Sequence, residues 1–283
     1  MQFSNTSAEV WTPDGVAADQ GLHRTTHMGI GAHQDDLEIM ALDGILKCFR
    51  HPEQWFTGVV VTDGGGSPRD ALYASYTNEE MMVVRRQEQK KAAFVGEYGA
   101  VVFLDHPSSV VKNSADARPV EDLAGLLTVA RPQVVYTHNL ADKHPTHVAV
   151  AMRVVAAIRR LPRETRPRKL YGCEVWRDLD WMLDEDKQAF VLDAHENIAA
   201  ALVSVFDSQI VGGKRYDLAT QGRRRAHATY HQSHAVDAAQ LMSFAMDLTP
   251  LIEDDSLDPA AYAVAHIERF AESVRAGIVP FAG

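Results

Sequence analysis

Along roughly the first two thirds of the chain, short apolar runs alternate with stretches whose apolar positions recur at helical spacing. Met28 to Ala32 is the first such run, and beyond it Leu37, Met40, Ala41, Ile45 and Cys48 mark one face of a helix reaching Phe49. Thr57 to Val61 is rich in β-branched residues and stops at Asp63-Gly64-Gly65-Gly66. A helix over Met81 to Val95 is closed by Gly96 and Gly99, and Val101 to Leu104 makes the next strand. Val120 to Val129 then reads as a helix stopped near Pro132, Val134 to Tyr136 as a fourth strand, His147 to Ile158 as a helix, and Leu170 to Trp176 as a fifth strand. Strands that alternate with helices need crossover connections, which build a mostly parallel sheet with helices on both faces.

The predicted fold class is therefore α/β: a Rossmann-like, mostly parallel sheet flanked by helices, with a helical C-terminal extension. In such sheets ligands lie beyond the carboxyl ends of the strands. A polar lead, Ser4 to Gly15, precedes the first strand, and the core spans about residues 28–180. From Glu185 the pattern changes to long Ala-rich stretches, Lys187 to Val205 and Pro259 to Ala276, separated by a polar segment from Gly212 to His234. We read residues 185–283 as an extension of one domain, with no internal repeat.

Composition narrows the function classes. The chain has 283 residues, 46% hydrophobic and 23% charged, which is ordinary globular composition. Its 38 acidic against 28 basic residues give a formal charge of −10, which disfavours nucleic acid and anionic membrane surfaces as partners. Cys48 and Cys173 have no partner at metal-ligand spacing, so neither a disulfide framework nor a cysteine zinc site is indicated. With no apolar run of membrane-spanning or signal-peptide length, a cytoplasmic location is expected.

Two polar clusters carry the chemistry. In Gly31-Ala32-His33-Gln34-Asp35-Asp36-Leu37-Glu38, an imidazole and two carboxylates follow directly on the first strand. That set suits a divalent ion, one carboxylate binding the metal while its neighbour acts as a base. An Asp pair at a helix start can equally serve as a cap. The second cluster, Tyr136 to His147, places His138, Asp142, His144 and His147 where the fourth strand gives way to a helix. Together the two supply a His/Asp/His set with open positions, as a hydrolytic metal site requires.

These clusters and their order resemble those of the LmbE-like, or PIG-L-like, zinc-dependent de-N-acetylases. The family's Ala-His-Pro-Asp-Asp-x-Glu motif is matched by Ala32, His33, Asp35, Asp36 and Glu38, and its second motif by Asp142, His144 and His147. Thr62-Asp63-Gly64 and Arg85-x-x-Glu88 with Ala92 resemble the intervening turn and helix. The resemblance implies Zn2+, or another divalent transition metal, on His33, Asp36 and His147, with Asp35 as general base and His144 stabilising or protonating the tetrahedral intermediate. It implies removal of the N-acetyl group from an N-acetylglucosamine-type sugar or conjugate, and a homo-oligomer, trimer or hexamer. Arg85, Asp63 and His234 are the expected substrate contacts, His234 from this chain or a neighbouring one.

Two positions depart from the motifs. Gln34 stands where the family has Pro, and Thr146 where it has Asp. With that carboxylate gone, Asp142 is the expected acceptor behind His144. The Gly64 to Gly66 loop is expected to wall the pocket, with Arg69 and Asp70 near substrate hydroxyls, and Trp176 and Trp181 are candidates for stacking on a sugar. Alternatives are an amidase on a non-sugar amide and a metal- or sugar-binding protein that has lost turnover.

Overall fold

The computed structural model describes residues 2–282. In chain order the elements are β1 (Glu9–Trp11), α1 (Ala18–His23), β2 (His27–Gly31), α2 (Asp36–Met40), α3 (Leu42–Cys48), β3 (Phe56–Thr62), α4 (Asn78–Val95) and β4 (Ala100–His106). There follow α5 (Ser108–Lys112), α6 (Arg118–Ala130), β5 (Val134–His138), α7 (Pro145–Arg159), β6 (Lys169–Cys173) and β7 (Lys187–Val191). The chain ends with α8 (Glu196–Ser204), α9 (Asp207–Ile210), α10 (Tyr216–Tyr230), β8 (Met242–Asp247), α11 (Pro250–Glu253) and α12 (Pro259–Ile278).

One eight-stranded sheet runs in the order β1-β4-β3-β2-β5-β6-β8-β7. Its five central strands are parallel, whereas β1, β8 and β7 join by antiparallel pairing. The order reverses between β2 and β5, and that switch opens the crevice in which open α/β sheets bind ligands.

Alternation along the strands builds two cores. Val59 and Val61 of β3 and Val102 and Leu104 of β4 face a layer with Leu123, Leu126 and Val154 of α6 and α7. Val60, Val101 and Phe103 face the opposite layer, with Leu37, Ile45 and Leu202. Both faces of the sheet are thus covered, as parallel strands demand.

Three predicted elements differ. The Leu37–Phe49 helix is two helices, broken at Ala41, whose φ of −107° and ψ of 20° lie outside the helical range. Lys187 to Val205 is not one helix: Lys187–Val191 pairs with β8 and only Glu196–Ser204 is helical. The polar segment Gly212 to His234 contains α10, whose few buried groups include Arg224 and His227. The C-terminal part is helical as expected and also completes the sheet.

Candidate metal centre and cleft

Both clusters sit at the β2/β5 switch. Gly31 ends β2 without a side chain: a Cβ there would lie 3.0 Å from Asp36 Cβ, so the start of α2 can close tightly on the strand end. Asp35 takes a left-handed φ of 94° just before α2. A non-glycine residue held there is strained, a feature that gathers at functional sites. Asp36 turns back, and its Oδ2 accepts a 2.6 Å hydrogen bond from the His33 backbone N–H.

The fold brings His33, Asp36 and His147 together, with one donor atom of each within 4.8 Å of the others. His33 Nδ1 lies 3.2 Å from His147 Nε2 and 3.3 Å from Asp36 Oδ2. His147 Nε2 lies 3.5 Å from Asp36 Oδ1. A tetrahedral zinc shell with bonds of about 2.0–2.1 Å has edges of roughly 3.3–3.4 Å, so the donor set fits a zinc-sized ion.

The electrostatics agree. Burial pushes the His33 and His147 imidazoles down, against the pull of the Asp36 carboxylate, which favours the neutral form that a metal would need. Burial pushes Asp36 up, but His147 and His138 outweigh it and hold this carboxyl well below the usual range. Asp35 goes the other way: burial raises it well above that range, opposed by Arg85 and reinforced by Asp36. Two adjacent carboxyls therefore divide into a firm anion and a proton acceptor of raised basicity.

His144 immediately precedes α7, its ring 5.1 Å from that of His33 and 6.3 Å from that of Trp176. Burial, then His147 and His33, lower it to about 4. At neutral pH it is an uncharged imidazole, suited to hydrogen bonding an oxyanion. Asp142 does not back this ring. Its Oδ1 accepts from the His144 backbone N–H at 2.9 Å and its Oδ2 from Trp176 N–H at 3.1 Å. Oδ2 also lies 3.6 Å from His147 Nδ1, a charge contact beyond hydrogen-bond length, so Asp142 faces His147 instead.

His138, at the end of β5, belongs to the second cluster but to neither motif. Its Nε2 accepts the Ala32 backbone N–H at 2.8 Å and lies 3.4 Å from Asp36 Oδ2, and its ring stacks on His147 at 3.9 Å. It is thus a fully buried brace between β2, β5 and two of the three donors. Glu38 braces α2 from the other side, where its Oε1 accepts from Gln89 Nε2 and Tyr98 Oη, both at 2.7 Å. Burial dominates over those bonds and raises it to about 7.

The donors open into a cleft of about 460 Å³, lined by His33, Asp35, Asp36, Arg85, His144, Thr146, Trp176 and Tyr216 among others. Arg85 is in its wall, but its guanidinium is buried, donating to Gln34 O at 2.8 Å and Gly64 O at 3.1 Å, 3.9 Å from Asp35 Oδ1. It shapes the two loops as well as facing the space. Gly66, Ser67 and Pro68 line the cleft, as the loop reading expects. Asp63 does not, because its carboxylate accepts from Gly65 N–H and is spent on the turn. Arg69 likewise holds Gly65 O and Asn78, and Asp70 caps Ala71. His234 is exposed on the segment between α10 and β8 and does not line the cleft. Trp181 is not in the lining either. Lys112, Gln209 and Lys214 line the cleft without any sequence signal to announce them, since no spacing relates them to the motifs.

Residues 28–158 match the family model described as PIG-L, GlcNAc-PI de-N-acetylase. The chain carries a PIG-L-like core. No curated protein sequence matches it significantly. Among solved structures, N,N'-diacetylchitobiose deacetylase from Pyrococcus horikoshii superposes with a TM-score of 0.63 at 14% identity, covering 82% of this chain and 86% of that one. A conserved protein from Thermus thermophilus gives 0.58 at 18% identity, covering 78% and 93%. GalB, the 4-carboxy-2-hydroxymuconate hydratase from Pseudomonas putida, gives 0.58 at 14%, covering 79% and 95%. At such identities the likeness establishes the shared fold, and the last case has a hydratase on it.

Proposed function

We propose that the protein is a metal-dependent hydrolase that removes an acetyl group from the nitrogen of an amino-sugar-type substrate. The observation that carries this reading is the convergence of His33, Asp36 and His147 at zinc-shell separations, with a second carboxylate of raised basicity beside them. The match of residues 28–158 to a de-N-acetylase family supports the choice of bond.

A divalent ion held by His33, Asp36 and His147 would supply Lewis acidity and bring the pKa of water down to roughly 7. Asp35 stands in the cleft wall as the group that takes the proton from the attacking water and returns it to the leaving nitrogen. Neutral His144 donates a hydrogen bond to the oxygen that becomes negative when the amide carbon turns tetrahedral. Arg85 keeps Asp35 in place by fixing both neighbouring loops. Acetate and a free amine leave.

Acetate released from N-acetylglucosamine, N,N'-diacetylchitobiose and N-acetylglucosaminyl conjugates, by protein shown to hold zinc, tests the reading. Asp35→Asn is expected to retain metal and lose about two or more orders of magnitude in kcat. An unchanged rate in that variant contradicts the role of Asp35, and absence of acetate from every member of the panel removes the sugar assignment.

A further inference from the structure

Next to the cleft lies a second chamber of about 340 Å³. The two share Ile39, Val175, Trp176, Lys214 and Tyr216, so they form one groove bent around the Trp176–Tyr216 pair, whose rings meet edge to face at 5.9 Å. Each chamber alone is in the range of about 300–1,000 Å³ that small-molecule sites occupy. The first already holds the reacting groups; the second holds none of them.

Its chemistry is one-sided. Trp176, Tyr216, Ile39 and Val175 give it an apolar and aromatic floor, and Lys214, Arg215 and Arg223 also line it. No carboxylate does so among the described residues, in a chain whose formal charge is −10. Arg215 is neutralised by Asp217 at 2.7 Å. Among the described residues the Lys214 ammonium meets only the Trp176 ring, its Nζ 5.3 Å from the centroid. Arg223 spends Nη1 on Val175 O at 2.5 Å, which anchors the guanidinium at the wall, and among the described residues its other N–H groups have no protein acceptor.

Given the hydrolase reading, on which this rests, we propose that the chamber binds the second part of the substrate, a flat-faced ring bearing a negative charge. The ring packs on Trp176 and the anion meets Lys214 and Arg223. The N-acetylated sugar in the first chamber is then one half of an anionic conjugate.

The test uses the zinc-loaded full chain and three probes: N-acetylglucosamine, phenyl N-acetylglucosaminide and 4-carboxyphenyl N-acetylglucosaminide, each glycoside in both anomers. The carboxyphenyl glycoside is expected to exceed the phenyl glycoside about tenfold or more in kcat/KM, a gap that narrows as salt is raised. Arg223→Gln should remove most of that preference and leave turnover of the free sugar within about twofold. Ala219→Trp, which fills the chamber from α10, should slow both aryl glycosides and spare the free sugar. Equal rates for the two glycosides, or a preference that survives Arg223→Gln, overturn the proposal. If none of the probes releases acetate, the hydrolase reading has failed. Calorimetry then decides the chamber separately: weaker binding of the carboxyphenyl glycoside to Arg223→Gln than to the unaltered chain upholds it, and equal binding overturns it.

Discussion

At the level of single residues, the cleft gives similar groups different surroundings. Asp35 and Asp36 are neighbours in sequence, yet Asp36 is crowded by imidazoles and Asp35 by burial and a carboxylate, so their acidities move in opposite directions. Asp142 illustrates what spacing alone conveys. Its position two residues before His144 points to that ring, whereas the start of α7 turns His147 toward it, at 3.6 Å. Because an outer carboxylate orients a ligand imidazole and raises its basicity, Asp142→Asn is expected to weaken zinc affinity about 10- to 100-fold with little change in fold. Competition with a chromogenic chelator measures this, and an unaltered affinity would show that Asp142 does no more than shape the loop. The meeting of His33, Asp36 and His147 is legible in the sequence because each motif needs only local order. His138 is visible in the same stretch, but its role depends on reaching the Ala32 N–H across the sheet, 106 positions away, which no local pattern encodes.

At the level of elements, the parallel strands declare themselves through apolar runs bounded by Gly and Pro. The late ones do not. β8 reads Met-Ser-Phe-Ala-Met-Asp and β7 Lys-Gln-Ala-Phe-Val, nearly without β-branched residues, so long-range pairing overrides local preference. The helix α10 is hidden because it is anchored by polar groups. Its buried Arg224 donates to the carbonyls of Glu38 at 2.8 Å and Ile39 at 3.1 Å, and His227 meets Glu174 at 3.0 Å beyond β6. Arg224 thereby holds α2, the helix that begins with Asp36. Arg224→Gln leaves those carbonyls short of a donor in a buried place and is expected to cost about 2–4 kcal/mol. Urea unfolding reads this directly. A loss below about 0.5 kcal/mol would mean that α10 does not secure α2.

At the level of the whole molecule, stability should depend on pH through groups far from the cleft. His27 opens β2 with its Nδ1 3.4 Å from the Cys48 thiol and 3.0 Å from Thr26 Oγ1. Burial, aided by Lys47 and opposed by Asp43, lowers it from 6.5 to about 4. The folded chain therefore keeps His27 neutral where the unfolded chain protonates it. The stability that this difference contributes is complete above pH 6.5 and is lost as pH falls toward 4. Between pH 7.5 and 5, the natural chain is expected to lose on the order of 1–2 kcal/mol more than His27→Asn. Parallel losses in urea titrations at the two pH values would contradict it.

The fold's larger consequence is that His147 is brought to the same point as His33 and Asp36, more than a hundred positions earlier in the chain. Calorimetric titration of the metal-free chain with Zn2+, alongside Asp36→Ala and His147→Ala, tests that most directly. The account predicts about one tight site per chain, lost in both variants while their circular dichroism stays native. A tight site that persists in either variant, or none in the natural chain, would contradict it.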